Sequence, residues 1–134
     1  MKTLPFYLLL FSALSFSSCD DIDDESNNSL KGTWALVKVS GTIAGIENNY
    51  PIGKIKWTFT NSNVKVINTD TEYNYDVLES GEYTYTLHQA EVAADCTETV
   101  TIDAMDLGCY YTYNNKLYIN QLTTDGVVLE LAKL

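Results

Sequence analysis

The side chains that most often carry out acid–base catalysis are scarce in this chain of 134 residues. His88 is the only histidine, and it falls on the polar side of an alternating segment. A nucleophile-activating triad needs a base that is held by an acid and that holds a nucleophile, and no serine-elbow motif or cysteine supplies that nucleophile here. We therefore predict that the chain is not an enzyme and has no catalytic residues.

Acidic side chains are the next candidates for chemistry, since carboxylates bind metal ions. They gather in two expected loops, of which one carries Asp103 and Asp106 and the other carries four acids: Asp70, Glu72, Asp76 and Glu79. Calcium takes about six to eight oxygen ligands, and neither loop has the D-x-D-x-D-G spacing of a calcium loop. We predict neither a metal site nor a cofactor.

The first 19 residues read as an export signal that ends at a cysteine. Lys2 precedes an apolar run over residues 4–16, the small residues Ser17 and Ser18 follow, and Cys19 comes next. This is the layout of a secretory signal, and the run is shorter than the roughly 20 apolar residues that span a bilayer. The stretch "FSSC" resembles a bacterial lipobox, which implies that residues 1–18 are a lipoprotein signal peptide and that Cys19 is lipidated and anchors the chain to a membrane.

Residues 19–29 begin with Cys19 and continue with an acidic run and "SNNS". Such a segment cannot bury enough apolar surface to fold, so we predict a flexible tether. Acidic residues directly behind a lipidated cysteine also resemble the export signals of surface lipoproteins in some Gram-negative bacteria. That resemblance implies an extracytoplasmic, surface-exposed outer membrane lipoprotein, and the alternative is that the acidic run is only a spacer.

Two further cysteines, Cys96 and Cys109, remain once Cys19 is taken by lipid. An even pair in an oxidising compartment is expected to form a disulfide. Closing so short a loop is expected to stabilise the fold by roughly 3 kcal/mol.

The charge balance excludes several classes of partner. The chain has no arginine and a formal net charge of −10. Nucleic-acid binding needs a cluster of basic side chains, and bidentate recognition of phosphate or carboxylate is usually carried out by arginine. We therefore expect that the chain binds no nucleic acid and has no bidentate site for phosphate or carboxylate.

From residue 30 onward the sequence alternates with period two, as half-buried strands do. In "IKWTFT", Ile55, Trp57 and Phe59 fall on one side. Breaker residues separate such segments, and Asn114-Asn115 predicts a two-residue hairpin, because asparagine tolerates the positive φ of such turns. Eight strands are predicted, at residues 33–39, 55–60, 63–68, 82–88, 96–103, 107–113, 116–122 and 126–132.

Eight antiparallel strands with short connections in chain order predict an all-β fold, a single up-and-down β-barrel over residues 30–134. Three longer connections are expected at residues 40–53, 69–79 and 89–95, and the last has helix formers enough for one or two turns. Closure into a barrel removes exposed strand edges and leaves an interior filled by side chains or by one small ligand.

Gly32-Thr33-Trp34 carries a resemblance to a known family, because a G-x-W motif opens the first barrel strand of the lipocalins. The tail "LYINQLTTDGVVLELAKL" is similar to the closing hairpin of bacterial lipocalin-like lipoproteins. The resemblance implies that Trp34 closes one end of the barrel and that Lys133, in place of the usual arginine, packs across its ring. A second lipocalin motif and the C-terminal helix are missing from this sequence.

The resemblance and the aromatic content together predict a binding module with a small apolar or amphipathic ligand in the barrel. The alternating pattern places Tyr110 and Tyr118 outside and predicts ten cavity-lining residues: Trp34, Leu36, Trp57, Phe59, Tyr83, Tyr85, Tyr111, Tyr113, Ile119 and Leu129. The alternative is a filled barrel whose loops bind a protein or inhibit an enzyme. Five loop residues support that alternative: Ile43, Ile46, Tyr50, Tyr73 and Tyr75.

Overall fold

A computed structural model describes residues 30–41, 45–72, 78–91, 96–121 and 126–134. The signal peptide, Cys19 and the tether therefore lie outside the described residues. Nine strands follow in chain order: β1 Gly32–Gly41, β2 Glu47–Asn49, β3 Ile55–Phe59, β4 Asn63–Asn68, β5 Gly81–Gln89, β6 Glu98–Ile102, β7 Met105–Tyr113, β8 Lys116–Asn120 and β9 Val127–Lys133. No helix within these ranges is long and apolar enough to cross a membrane.

Eight of the strands close into an antiparallel barrel, as the sequence predicts. Each strand from β3 to β8 pairs with the next one along the chain, and β1 pairs with both β3 and β9. The ninth strand, β2, is only three residues long and pairs with the second half of β1, beyond the part that pairs with β3. It was not predicted, because "ENN" has none of the apolar or β-branched residues that mark a strand.

The alternating pattern decides which side chains fill the interior. In β3, Ile55, Trp57 and Phe59 are buried, and the residues between them are only partly covered. The same alternation repeats in β4 and β8, and successive side chains of a strand point to opposite faces of the sheet. Asn114 and Asn115 have φ values of 50° and 59° between paired Tyr113 and Lys116, which confirms the two-residue hairpin.

Twenty buried apolar and aromatic side chains form one cluster inside the barrel. Trp34 lies near one end of it, where its indole Nε1 donates a hydrogen bond of 2.7 Å to the carbonyl of fully buried Leu30. Tyr50 and Leu78, from connecting segments, add their side chains to the same cluster. The described part of the barrel thus has one continuous apolar core.

A bulge in β7 overturns the predicted orientation of its tyrosines. Val100 and Thr101 of β6 are neighbours, but they pair with Gly108 and Asp106 of β7, so Leu107 is the extra residue of the bulge. Gly108 has a φ of 88°. Such an extra residue shifts the alternation by one. Tyr110 is consequently buried, whereas Tyr111 and Tyr113 are 53% and 65% exposed, so the prediction that these last two line the interior is wrong.

One other expectation concerns the connection at residues 89–95. Gln89 ends β5 as a strand residue, paired with Glu98, instead of starting a helical turn. Residues 92–95 lie outside the described residues, so the expected turn itself is untested.

Candidate functional site

Seven of the ten residues predicted to line a cavity are packed into the core. They are buried members of the central cluster: Trp34, Leu36, Trp57, Phe59, Tyr85, Ile119 and Leu129. Tyr83 is half-buried and packs against the cluster, while Tyr111 and Tyr113 lie outside. Most of the predicted set therefore belongs to the core of the barrel, and the described residues also form a pocket at its surface.

An apolar pocket lies beside β5, near the point where its pairing with β4 ends and its pairing with β6 begins. Residues 81–84 of β5 pair with β4, and residues 85–89 pair with β6. The pocket has a volume of about 360 Å³, and six residues line it: Leu78, Tyr83, Ile102, Asp103, Ala104 and Met105. Protein sites for small ligands typically have volumes of about 300–1,000 Å³, so this pocket, hereafter the β5–β6 pocket, is at the small end of that range.

Tyr83 supplies the aromatic wall of the β5–β6 pocket. Its hydroxyl donates a hydrogen bond of 3.0 Å to the carbonyl of Glu79, which fixes the ring along the strand. A Cβ atom at Gly81 would lie 3.2 Å from the ring and hydroxyl of Tyr83, so the glycine makes the room that this orientation needs. A tyrosine fixed in this way offers apolar area together with a hydroxyl that still accepts hydrogen bonds.

Asp103 is held rigidly at the edge of the pocket. Its Oδ1 accepts hydrogen bonds of 2.9 Å from both the backbone N–H and the hydroxyl of Thr84. Its own N–H donates to the carbonyl of Thr84 at 2.8 Å. The residue has a φ of 50°, a conformation that aspartate tolerates better than most residues. These contacts continue the β5–β6 pairing by one residue and fix the carboxylate in place.

Sequence reasoning missed most of this pocket. Only Tyr83 is among the predicted site residues, because a period-two pattern describes single strands and not the turns between them. Asp103 and Ala104 lie in a turn, and Leu78 lies in a connecting segment. The pocket exists because two stretches of the chain, residues 78–83 and residues 102–105, meet in the folded barrel, and a local sequence pattern does not indicate that meeting.

A smaller depression, of about 230 Å³, lies near Trp34 and the β7–β8 hairpin. Lys133, from the end of β9, contributes to its lining. The Nζ atom of Lys133 lies 4.2 Å from the centre of the Trp34 ring, as the family resemblance implies, and donates a hydrogen bond of 2.8 Å to the carbonyl of Lys31. The cation is thus already engaged by the protein, and its role there is to secure the end of the barrel.

The outer face of β7 and β8 carries an aromatic pair, of which Tyr111 is exposed and Tyr118 is half-buried. Tyr111 and Tyr118 face each other across the two strands, with ring centres 5.0 Å apart and planes inclined by 15°. The predicted disulfide between Cys96 and Cys109 is confirmed, with Cα atoms 5.9 Å apart. It joins the segment before β6 to β7 next to the bulge, and so fixes the stretch that presents the tyrosines.

The polar candidates from the sequence do not converge. His88 is exposed and its ring Nε2 contacts the hydroxyl of Thr86 at 3.0 Å. Within the part of the chain that the structure describes, no group of three or more histidine, cysteine, aspartate or glutamate side chains is placed to hold a metal ion.

Comparison with known proteins adds no relative from which a function can be transferred. A scan against models of protein families, a search of curated proteins and a search of solved structures each found no match to this chain. The functional argument therefore proceeds from the residues of this barrel alone.

Proposed function

We propose that the protein is a lipid-anchored, extracytoplasmic binding module without catalytic activity, and that a small apolar or amphipathic ligand binds in the β5–β6 pocket. The observation that carries the proposal is the pocket itself, with Tyr83 and Met105 in its lining. Apolar concave sites with few polar groups are the usual form of a small-molecule site.

The location of the pocket supports a ligand at the surface of the barrel instead of in its centre. Ile102 is fully buried and belongs both to the core cluster and to the lining of the pocket. Met105, another lining residue, is 42% exposed. A ligand there would cover Met105 and extend the hydrophobic core outward, which is favourable by about 25 cal/mol for each square ångström of apolar surface removed from water.

Filling the pocket tests the ligand site. Ala104→Trp places a large side chain in the lining, at an exposed turn position where it does not disturb the core. We expect this variant to lose binding of an uncharged fluorescent apolar probe such as N-phenyl-1-naphthylamine, at unchanged thermal stability. Ile52→Trp is the matched control, because Ile52 is 70% exposed and does not line the pocket. Equal probe binding by both variants would overturn the proposed site.

The anchor is a separate part of the proposal and has its own test. The lipobox-like stretch before Cys19 supports it, and a multiply acylated cysteine binds membranes firmly because each buried methylene contributes about 0.8 kcal/mol. We expect metabolic labelling with an alkyne-tagged fatty acid in a Gram-negative host to label the wild-type chain and Cys96→Ser, but not Cys19→Ala. Labelling of Cys19→Ala would contradict the anchor. Digestion by a protease added to whole cells would distinguish the outward-facing leaflet from the periplasmic one.

A protein-interaction or enzyme-inhibitor module is the second candidate, and the outer surface of the barrel favours it. Exposed apolar side chains offer a contact surface, among them Ile52 in the segment before β3 and Tyr113 on β7. Tyrosine is enriched in protein interfaces because it provides rigid contact area at little entropic cost. Photo-crosslinking from position 52 or 113 in living cells would yield a discrete adduct if a partner binds there, and none if the surface is free.

A further inference from the structure

We infer that the ligand of the β5–β6 pocket carries a positively charged head group beside its apolar body. This inference rests on the proposed function and specifies the chemistry of the ligand. It follows from the charges around the pocket and from the way in which Asp103 is held.

Asp103 is the one charged side chain among the six residues that line the pocket. The other lining side chains are apolar apart from the hydroxyl of Tyr83. Two further acids lie close in the chain: Glu79, whose carbonyl holds Tyr83, and Asp106, directly after Met105. An anionic ligand would meet repulsion here, and the net charge of −10 adds to that repulsion.

The geometry of Asp103 leaves one of its oxygens for a ligand. Both hydrogen bonds from Thr84 use Oδ1, and no hydrogen bond within the described residues uses Oδ2. The carboxylate is therefore oriented before a ligand arrives, and its second oxygen can accept a hydrogen bond from an ammonium group whose alkyl chain lies against Tyr83 and Met105. A charge-assisted hydrogen bond of this kind is stronger than one between neutral groups.

A series of octyl compounds tests this chemistry: octylamine, 1-octanol and octanoate share a chain and differ in head-group charge. Binding is measured by isothermal titration calorimetry on the mature chain, residues 19–134, carrying Cys19→Ala, so that no signal peptide, lipid anchor or bilayer takes up the probes. Because Asp103 is exposed and solvent weakens the attraction, we expect octylamine to bind about three- to fivefold more tightly than 1-octanol. Octanoate is expected to bind most weakly.

Asp103→Asn removes the charge and keeps the structure of the turn. The asparagine amide oxygen still accepts from Thr84, and asparagine tolerates a positive φ as aspartate does. We expect this variant to lose the three- to fivefold advantage of octylamine and to bind 1-octanol as before. Asp106→Asn is the matched control: Asp106 Oδ1 likewise accepts a backbone N–H, from Gly108 at 2.9 Å, but Asp106 does not line the pocket.

The outcomes separate the inference from the proposed function. Binding of octylamine that falls in Asp103→Asn and not in Asp106→Asn supports both. Equal binding of octylamine and 1-octanol, preference for octanoate, or the same loss in both variants would overturn the charged head group and leave the pocket intact. Failure of all three compounds to bind would overturn the pocket and the inference together.

Discussion

Gly108→Ala is expected to destabilise the barrel by about 2–5 kcal/mol, because two independent costs meet at this position. Gly108 has a φ of 88°, and a Cβ atom built on it would lie 2.3 Å from the carbonyl oxygen of Asn120 and 2.9 Å from the Cα atom of Gln121. The bulge thus needs a residue without a side chain both for its backbone conformation and for the close approach of β8.

A comparison with Gly53 separates the cost of the backbone conformation at Gly108 from the cost of its contact with β8. It has nearly the same φ, 90°, but no atom lies within 4 Å of a Cβ atom built there. Gly53→Ala therefore introduces only the left-handed strain, about 1–2 kcal/mol. Gly108→Ala adds the contact with the β8 backbone, and forcing extra atoms into a packed site typically costs about 1–3 kcal/mol. The difference between the two variants measures the close approach alone.

Urea unfolding provides the measurement. The fluorescence of Trp34 and Trp57 reports loss of the core, since both rings are buried in the native barrel. The free energy of unfolding is extrapolated linearly to zero urea for the wild type and both variants. An equal loss of stability in the two variants, or a larger loss in Gly53→Ala, would refute the argument that β8 packs directly on the bulge.

Three further predictions follow from single contacts. Lys133→Ala removes the cation above the Trp34 ring and is expected to lower the free energy of unfolding by about 0.5–1 kcal/mol, whereas Lys133→Arg retains it; urea titration distinguishes them. Cys96→Ser opens the disulfide and is expected to cost roughly 3 kcal/mol, a difference that disappears when wild type and variant are compared under reducing conditions. The hydrogen bond to Glu130 holds the pKa of Lys116 above its ordinary value of 10.5. Because the folded-state pKa is the higher one, the stability that the Lys116–Glu130 interaction contributes is present below pH 10.5 and is lost as pH rises through the folded-state pKa. Lys116→Met is expected to remove this contribution to the pH dependence of stability. The free energy of unfolding, measured for both proteins on both sides of pH 10.5, checks this.

The strands of the barrel could be predicted because their pattern is local. Ile55, Trp57 and Phe59 alternate with polar residues, and one face of a strand is buried only if every second residue is apolar. The hairpin at Asn114 and Asn115 was equally readable, since few residues adopt two positive φ values in succession. Such features depend on neighbours in the chain and not on which strands meet.

The tyrosines of β7 show where this local reasoning fails. Strict alternation places Tyr111 on the buried side, yet the extra residue at the bulge brings Tyr110 inward in its place. Gly108 was visible in the sequence, but a glycine in a strand marks a bulge only when the pairing on both sides requires one. The β5–β6 pocket is a similar case, since Leu78 and Met105 are 27 positions apart in the printed sequence and meet only through the path of β5.

The sequence by itself determined the all-β class, the number of barrel strands, most of the core and the pairing of Cys96 with Cys109. These follow from residue type and spacing, because backbone geometry imposes a period of two on every half-buried strand. Only the tertiary structure decided which side chains meet in the central cluster, that β7 turns Tyr110 inward, and that Asp103 meets Tyr83 at a pocket. Those features arise from register and from the change of partners along β5, which depend on packing between segments far apart in the chain.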